Sequence, residues 1–334
     1  MEKYAKIYEG DDMKVCILGA GAYALALTSA VYRNTKDITI WSALDSEVEL
    51  LTKERMNKKA LNYKLPDEIK ITSNLEEAIE DCDVIIIGVA CKFVRSVCKE
   101  LNKYYTNQHI AIASKGIEQD SCYFVNEIVE SIIPTRRIAV ISGPSFASDL
   151  INDTPTGLAL GTKNKKTEKV ITEVFKSNLL NIYPTKDILG IEVCGAIKNV
   201  IAIGSGMLAG MGVSFSTKAM FLTDSLHDIK KLIKSLGGND RTILSYAGFG
   251  DILLTCTSPN SRNYTFGEMI GKKTSRSKIE AYRKSTTIEG LYTLDSIYKL
   301  CKRKKIDIPI IKLIHNIIYK NEDPEDVLKQ MTNR

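Results

Sequence analysis

The sequence predicts an α/β amino-terminal domain over residues 13–186 and an all-helical carboxy-terminal domain over residues 187–334. Short apolar runs alternate with helical patterns in the first part, which is typical of a parallel sheet with helices on both faces. From Asp187 onward the strand signal ends and helical periodicity takes over. At 334 residues the chain is long enough for two separate cores.

The predicted strands are short apolar runs bounded by polar or turn residues, namely Lys14–Leu18, Asp37–Trp41, Asp83–Ala90, His109–Ser114, Arg137–Ser142, Gly157–Gly161 and Leu180–Tyr183. The predicted helices carry apolar residues at helical spacing, namely Ala22–Arg33, Ser46–Met56, Leu75–Asp81, Phe93–Tyr104 and Tyr123–Ile132. Ligands of such sheets bind beyond the carboxyl ends of the strands. We therefore expect the active site in the cleft between the two domains.

A glycine-rich turn joins the first predicted strand to the first helix. It reads Gly19-Ala20-Gly21-Ala22-Tyr23-Ala24. In a dinucleotide fingerprint the first glycine permits a tight turn, the second lets the backbone approach a pyrophosphate, and a small third residue allows helix–strand packing. Because the next strand arrives at the spacing of a βαβ unit, the turn predicts a Rossmann-like nucleotide-binding domain.

Residues 188–213 form a long apolar stretch in which only Glu192 and Lys198 are charged. A lysine in such surroundings loses hydration, which lowers its pKa toward the range useful for proton transfer. The stretch is long enough to cross a bilayer, but the lysine in its middle and six glycines argue against a membrane span. We interpret it as a buried core helix that carries a functional lysine.

The segment from Gly248 to Asn263 places Asp251 ahead of an apolar run and then presents Ser261, Arg262 and Asn263 in succession. Arginine offers a planar fork of donors that suits phosphate oxygens. If Tyr264–Ile270 is helical, the three residues lie at a helix N-terminus, which also favours an anion. An N-capped surface turn is the alternative interpretation of the same residues.

Composition narrows the class of protein. The net charge of +6 comes from local lysine and arginine runs without the interleaved aromatics of a nucleic-acid surface, so we expect no nucleic-acid partner. Eight scattered cysteines without a Cys-x-x-Cys pair predict reduced core residues in a cytosolic protein. Three histidines without ligand spacing predict no metal site. The charged segment Met1–Asp12 lacks the apolar region of a secretory signal and is expected to be an appendage to the first strand.

Several of these motifs occur in the order found in one enzyme family. They are Gly19–Ala24, Asn62–Pro66, Ser114–Glu118, Gly143–Ala147, Glu192–Ala202, Gly248–Asn263 and Thr287–Gly290. On them, the chain from Met13 to about Leu300 resembles the bacterial-type NAD(P)-dependent glycerol-3-phosphate dehydrogenases. The resemblance implies a 6-phosphogluconate dehydrogenase-like fold, a cytoplasmic homodimer, and glycerol 3-phosphate made for phospholipid synthesis.

The chain departs from that family at two places. The family usually has Ser-Trp-Gly where this chain has Ala22-Tyr23-Ala24, which affects contacts at the pyrophosphate turn. Asp224 replaces an arginine that follows the family's Asn-Thr-Lys-Ala-Ala segment. The second departure touches none of the core site residues.

The resemblance implies a role for each matching residue. Lys198 would exchange the proton with the substrate oxygen, Lys115 would polarise that oxygen, and Asp251 would orient Lys198 or a substrate hydroxyl. The implied substrate contacts are Lys115, Gly143, Ser145, Lys198, Asp251, Ser261, Arg262 and Asn263. The implied cofactor contacts are Gly19, Gly21, Ala22, Tyr23, Ser42, Lys115, Ala147, Arg262, Thr287 and Glu289.

Two other classes of protein are compatible with parts of the sequence. Two-domain hydroxy-acid dehydrogenases also carry a lysine on the first helix of their second domain, but nothing in them predicts the Gly248–Asn263 segment. A catalytically silent nucleotide sensor would be expected to lack Lys198 or Asp251, and both are present.

The strand that should contact the cofactor's ribose ends Ile40-Trp41-Ser42-Ala43-Leu44, with neither an acid nor an arginine. Asp45 lies too far into the loop, and Ser42 could donate to either form of the ribose. We therefore expect both NAD and NADP to be used, with NADH modestly preferred.

Overall fold

The computed structural model describes residues 13–332, so the expectation for Met1–Asp12 lies outside the described residues. Two compact units are present. One comprises residues 13–114, 126–141 and 145–186, and the other residues 115–125, 142–144 and 187–332. Two short segments before residue 187 thus pack with the second unit, whereas the sequence division at residue 187 remains a prediction.

The first unit is built on an eight-stranded sheet. Its strands are β1 (Val15–Leu18), β2 (Ile38–Trp41), β3 (Lys70–Thr72), β4 (Val84–Ile87), β5 (His109–Ile112), β6 (Ile138–Ser142), β7 (Thr156–Gly161) and β8 (Leu180–Thr185). Their order is β3-β2-β1-β4-β5-β6-β7-β8. Neighbouring strands from β3 to β6 along this spatial order pair in parallel, and β7 pairs in parallel with β8. Strands β1, β2, β4 and β5 are buried at every residue, and all of these residues except Thr39 and His109 are apolar, as expected for strands with both faces covered.

Helices follow most of these strands. They are α1 (Ala22–Tyr32), α2 (Asp45–Glu54), α3 (Leu75–Ile79), α4 (Cys91–Tyr104), α5 (Val125–Glu130), α6 (Ala147–Ile151) and α7 (Lys165–Val174). All seven predicted strands and five predicted helices are present, with ends that differ by a few residues. Strand β3 and helices α6 and α7 were not predicted. Strand β3 has three residues and none of them is buried, so it carries no apolar alternation to detect.

From residue 187 onward the described chain is helical. The helices are α8 (Ile188–Gly210), α9 (Phe215–Leu236), α10 (Asp251–Thr257), α11 (Arg262–Gly271), α12 (Arg276–Ser285), α13 (Glu289–Lys304), α14 (Pro309–Lys320) and α15 (Asp326–Thr332). A 3₁₀ turn at Asp240–Leu244 and a π-helical turn at Tyr246–Gly250 precede α10. The predicted fold class, a Rossmann-like unit with an all-helical carboxy-terminal part, is confirmed.

Helix α8 is the central helix of the second unit. By length and composition alone it could cross a membrane, since its most apolar stretch has a mean hydropathy of 1.5. However, 89% of that stretch is buried inside the protein. A core helix of a soluble unit meets the same criteria of length and composition. The burial agrees with the interpretation of residues 188–213 as a core helix.

Glycines let α8 and α11 approach closely. A Cβ on Gly206 would lie 2.0 Å from the Tyr264 carbonyl oxygen, and one on Gly267 would lie 2.0 Å from that of Ile203. The same holds one turn later, where a Cβ on Gly271 would lie 2.0 Å from the Met207 carbonyl oxygen. Of the glycines in the stretch of residues 188–213, Gly206 and Gly210 thus serve packing against α11.

Candidate active site

The glycine turn of the first unit has the conformation that its sequence requires. Gly19 adopts a φ of +124°, and a Cβ there would lie 3.1 Å from the Gly88 carbonyl oxygen. Its N–H donates to the Trp41 carbonyl at 2.8 Å, which ties the turn to the end of β2. Ala24 is fully buried, and its Cβ lies 3.1 Å from the position of a Cβ on Gly88, so a small residue is needed at both positions.

The start of α1 is suited to an anion. Gly21 occupies the N-cap position, no side chain caps the helix, and nothing lies within 4 Å of a Cβ built on Gly21. The first N–H groups of a helix lack intrahelical partners and attract phosphate. The Tyr23 hydroxyl lies 3.0 Å from the Ser145 Oγ, so two residues predicted for cofactor and substrate meet in this unit. These features fit a dinucleotide pyrophosphate, with Ala22 on the first turn of α1.

Three charged side chains predicted for catalysis meet in the second unit. The Lys198 Nζ lies 2.5 Å from Asp251 Oδ1, and the Lys115 Nζ lies 2.8 Å from Asp251 Oδ2. Asp251 is 1% exposed, and the lysine side chains are 12% (Lys198) and 14% (Lys115) exposed. One buried carboxylate therefore holds two ammonium groups that both retain a small exposed surface.

Burial and the neighbouring charges tune these groups. Burial lowers the pKa of Lys198 from 10.5 to about 8; Asp251 opposes this shift, and Lys115 adds to it by like-charge repulsion. Burial alone would raise the pKa of the Asp251 carboxyl, but the ammonium groups of Lys115 and Lys198 outweigh it and the pKa is lowered. The cluster thus combines a permanent anion with an amine that can gain or lose a proton near neutral pH.

Local backbone features place these side chains. Asp251 is the first residue of α10, after a π-helical turn in which a Cβ on Gly248 would lie 2.2 Å from the Ile243 carbonyl oxygen. Gly195 lies three residues before Lys198 on α8, and a Cβ there would lie 3.1 Å from the Ser142 Oγ and 3.7 Å from the Lys115 side chain. Glycine at residue 195 therefore leaves room for the Ser142 hydroxyl beside the Lys115 side chain.

Two contacts of Asp251 were not predicted. The Thr255 Oγ1 donates to the Asp251 carbonyl at 2.6 Å and lies 3.4 Å from Oδ1, and the Ser142 Oγ lies 3.5 Å from Oδ2. The i,i+4 spacing of Asp251 and Thr255 in a helix could have revealed the first contact. Nothing in the sequence around Ser142 reveals the second.

The predicted anion-binding trio divides into two structural roles. Ser261 is buried and caps α11, accepting from the Tyr264 N–H at 3.3 Å. Buried Asn263 donates to Asn199 at 2.9 Å and accepts from the Gly290 N–H at 2.9 Å. Arg262 is exposed at the first position of α11, and within residues 13–332 its side chain forms no ion pair. The helix at Tyr264–Ile270 is confirmed, and the N-cap interpretation of Ser261 holds.

The remaining predicted residues are distributed over both units. The Glu289 carboxylate accepts from the Asn199 amide at 3.4 Å, which links it to the residue after Lys198, whereas Thr287 is exposed just before α13. Ala147 begins α6 in the first unit. Gly143 belongs to the segment of residues 142–144 that packs with the second unit. Sequence reasoning missed Asn199, although it directly follows Lys198.

Ser42 differs from its expected state. Its Oγ donates to Glu47 Oε2 at 2.5 Å and accepts from the Leu44 N–H at 3.2 Å. A hydroxyl carries one proton, so Ser42 is engaged as a donor, whereas the sequence interpretation left it able to donate to either form of a ribose. Glu47 was not singled out because it lies five residues beyond Ser42, in the first turn of α2.

Among residues 13–332 no group of three or more His, Cys, Asp or Glu side chains is placed to hold a metal ion. The eight cysteines are free thiols, and all except Cys91 are buried.

Both parts of the chain are similar to one family of known proteins. Residues 14–168 match the family model described as NAD-dependent glycerol-3-phosphate dehydrogenase N-terminus, and residues 187–329 match the model of the C-terminus of that family. A relative from Oceanobacillus iheyensis, named glycerol-3-phosphate dehydrogenase (NAD(P)+), is 34% identical over 324 residues, which cover 96% of this chain and 94% of the relative. A relative of the same name from Staphylococcus carnosus is 34% identical over 327 residues, covering 96% and 98%.

Among solved structures, glycerol-3-phosphate dehydrogenase from Coxiella burnetii superposes with a TM-score of 0.90 at 28% identity, covering 96% of this chain and 99% of that one. The sequence relatives and this structure cover nearly the full length on both sides, and the family models account for both parts of the chain. The chain therefore belongs to the NAD-dependent glycerol-3-phosphate dehydrogenase family.

Proposed function

We propose that this chain is an NAD(P)-dependent sn-glycerol-3-phosphate dehydrogenase, which interconverts dihydroxyacetone phosphate and glycerol 3-phosphate. The observation that carries the proposal is the Lys198–Asp251–Lys115 cluster. It supplies a proton-exchanging amine and a second cation for an oxygen that changes between carbonyl and hydroxyl. The proposal is supported by relatives that are named glycerol-3-phosphate dehydrogenase and are 34% identical over nearly the full length.

In the reduction, a nicotinamide held by the first unit would supply hydride to the ketone carbon, and the carbonyl oxygen would then need a proton. We assign that proton to the Lys198 ammonium, which becomes a neutral amine. In the oxidation, the neutral amine takes the proton from the hydroxyl of glycerol 3-phosphate. Lys115 polarises the same oxygen, and Asp251 holds both amines in place.

The phosphate of the substrate is assigned to Arg262. Its exposed guanidinium lies at the first position of α11, where the helix dipole adds a favourable field. Ser261 and Asn263 support this site by capping α11 and fixing it to Asn199, in addition to their proposed role as donors. Gly143 and Ser145 remain proposed substrate contacts.

The dinucleotide is assigned to the first unit, with Gly19, Gly21, Ala22 and Tyr23 at the pyrophosphate. The further proposed cofactor contacts are Ser42, Lys115, Ala147, Arg262, Thr287 and Glu289. The uncapped start of α1 supports the pyrophosphate position. We propose that NAD and NADP both serve, with NADH preferred.

An absorbance assay at the NADH band tests the function. Purified protein with dihydroxyacetone phosphate should oxidise NADH and, more slowly, NADPH, and glycerol 3-phosphate should reduce NAD+. Hydroxypyruvate is the control substrate for the hydroxy-acid alternative. Turnover of hydroxypyruvate without turnover of dihydroxyacetone phosphate would reject the proposal.

We further propose that the enzyme acts in the cytoplasm as a homodimer and supplies glycerol 3-phosphate to phospholipid synthesis. Eight free thiols support a reducing compartment. Light scattering coupled to size exclusion should give twice the mass of one chain. A monomer at micromolar concentration would contradict the dimer, and growth rescue by glycerol after gene deletion would test the pathway.

A further inference from the structure

The carboxyl end of β2 lies beside the glycine turn. Leu18 pairs with Trp41, and the Trp41 carbonyl accepts from the Gly19 N–H at 2.8 Å. The next residue, Ser42, is therefore adjacent to the proposed pyrophosphate site. In folds of this kind, the group at this position faces the adenosine ribose and discriminates between a 2′-hydroxyl and a 2′-phosphate.

Ser42 is prevented from serving a 2′-phosphate by its own hydrogen bonds. Its only proton is donated to Glu47 Oε2 at 2.5 Å, and it also accepts from the Leu44 N–H at 3.2 Å. Ser42 is 4% exposed, so its hydroxyl is held in a protein environment. To donate to a phosphate, it would have to release the carboxylate of Glu47 and leave that anion beside the phosphate.

The surrounding segments reinforce this preference. The Ser42 N–H donates to the Thr72 carbonyl at 3.2 Å, which brings the ends of β2 and β3 together. In residues 42–47 and 72–77 every charged side chain is acidic, namely Asp45, Glu47, Glu76 and Glu77. Of these, Glu47 contacts Ser42 directly, and Glu77 is engaged by the Thr72 hydroxyl at 3.1 Å.

We propose that Glu47 is the residue that makes this chain select NAD over NADP. Its carboxylate, held by Ser42, accepts a hydrogen bond from the ribose 2′-hydroxyl and repels a 2′-phosphate. The acid usually placed at the end of the second strand is here supplied by the first turn of α2. This inference rests on the proposed function only in requiring that a nicotinamide dinucleotide binds to the first unit.

Binding, measured without substrate, tests the assignment. The chain contains a single tryptophan, Trp41, next to Ser42, and quenching of its fluorescence reports NADH and NADPH titrations, with calorimetry as a second measurement. We expect NADPH to bind at least about tenfold more weakly than NADH, a difference of roughly 1.4 kcal/mol. Glu47→Gln should bring the two dissociation constants to within about threefold, because it keeps the size of the side chain and removes its charge.

Asp45→Asn is the matched control. Asp45 is an acid of the same helical turn, but within residues 13–332 it makes no hydrogen bond to Ser42. Its replacement should change the ratio of the NADPH and NADH dissociation constants by less than about threefold. Ser42→Ala should reduce the ratio partly, because Glu47 loses its anchor. High salt should shrink the ratio in the parent chain and have little effect in Glu47→Gln.

The outcomes separate this proposal from the proposed function. Equal affinities in the parent chain, or a ratio that Glu47→Gln leaves unchanged while circular dichroism shows a folded protein, would overturn the role of Glu47 and leave the dehydrogenase intact. If Asp45→Asn lowered the ratio of dissociation constants as much as Glu47→Gln does, the preference would come from the negative charge of the whole segment and not from Glu47. If neither NADH nor NADPH bound to the parent chain, the proposed function would be overturned as well.

Discussion

Lys198 owes its chemistry to burial rather than to its immediate sequence. Lys198 lies on the apolar helix α8, and its ammonium group shares the Asp251 carboxylate with Lys115. Replacement by methionine keeps the volume and removes the proton donor, so kcat in Lys198→Met should fall by about 10²–10⁴-fold. The dissociation constant for NADH, measured by Trp41 fluorescence, should change by less than about threefold.

The control is Lys231→Met, at an exposed position on α9. If Lys198→Met kept more than half of the parental kcat, Lys198 would be excluded as the proton donor.

The pH dependence follows from the same group. The pKa of Lys198 is about 8, lowered by burial. Reduction needs the ammonium form, so its rate should fall as the pH rises through about 8, and the oxidation rate should rise over the same interval. Asp251→Asn removes the charge that raises the pKa of Lys198, so both transitions should move to lower pH. Initial rates in both directions from pH 6 to 10 measure this, and unmoved transitions in Asp251→Asn would contradict the electrostatic coupling.

Arg262 gives a prediction about substrate charge. Loss of a charge-assisted phosphate contact in Arg262→Ala should weaken dihydroxyacetone phosphate far more than dihydroxyacetone, which lacks the phosphate. The comparison of kcat/KM for the two substrates in parent and variant measures the difference. Arg276→Ala, exposed on α12, is the control. Equal losses for both substrates would move Arg262 away from the phosphate.

At the scale of elements, α8 and α11 show why the carboxy-terminal part is rich in glycine. Their backbones are so close that a methyl group at Gly267 would lie 2.0 Å from the Ile203 carbonyl oxygen. Gly267→Ala must therefore displace one helix, which we expect to lower the free energy of unfolding by about 1–3 kcal/mol. Since Lys198 lies on α8, the displacement should also reduce activity.

Urea unfolding followed by circular dichroism measures the change in Gly267→Ala. Lys278→Ala, on the exposed surface of α12, should change stability by no more than about 0.5 kcal/mol. If Gly267→Ala were as stable as that control, the two helices would not be packed at the distance described.

Elements with continuous apolar runs were predictable, and those fixed by neighbours were not. Helix α8 is apolar around most of its circumference and strands β1, β4 and β5 are wholly buried, so their residues identify them. Strand β3 is defined only by pairing with β2. Helix α6 has five residues of which only Leu150 is buried, so it shows no apolar repeat, whereas the equally short α3 buries three of its residues. Helix α7 begins with lysines that read as a charged surface run, although Val170 and Ile171 are buried.

At the scale of the molecule, His109 couples the stability of the first unit to pH. It is 1% exposed on β5, and its Nδ1 lies 2.9 Å from the Thr167 hydroxyl. Burial lowers its pKa from 6.5 to about 4, and Arg137 and Lys166 add to the shift against an opposing contribution from Asp83. The folded unit therefore binds this proton less readily than the unfolded chain does.

Because the folded pKa is the lower one, the contribution of His109 is fully present above about pH 6.5 and is lost as the pH falls toward 4. The loss is at most about 3 kcal/mol. Urea unfolding followed by Trp41 fluorescence at pH 7, 6 and 5 should show it, and His109→Asn, which does not titrate, should flatten the profile. His227→Asn, exposed on α9, is the control. If the free energy of unfolding of His109→Asn fell with pH as steeply as that of the parent chain, His109 would not be the source of the pH dependence.

The sequence by itself determined the fold class, the glycine turn and the identity of Lys198 and Asp251 as candidates, because local apolar patterns and isolated charges are written along the chain. It did not reveal that Lys115 and Lys198 share the Asp251 carboxylate, since Asp251 lies 136 positions from Lys115 and 53 positions from Lys198. It also left Ser42 without a partner, because Glu47 reaches it only when α2 folds back onto the end of β2. Only the tertiary structure decides which distant polar groups meet, and with them the pKa of the Lys198 amine.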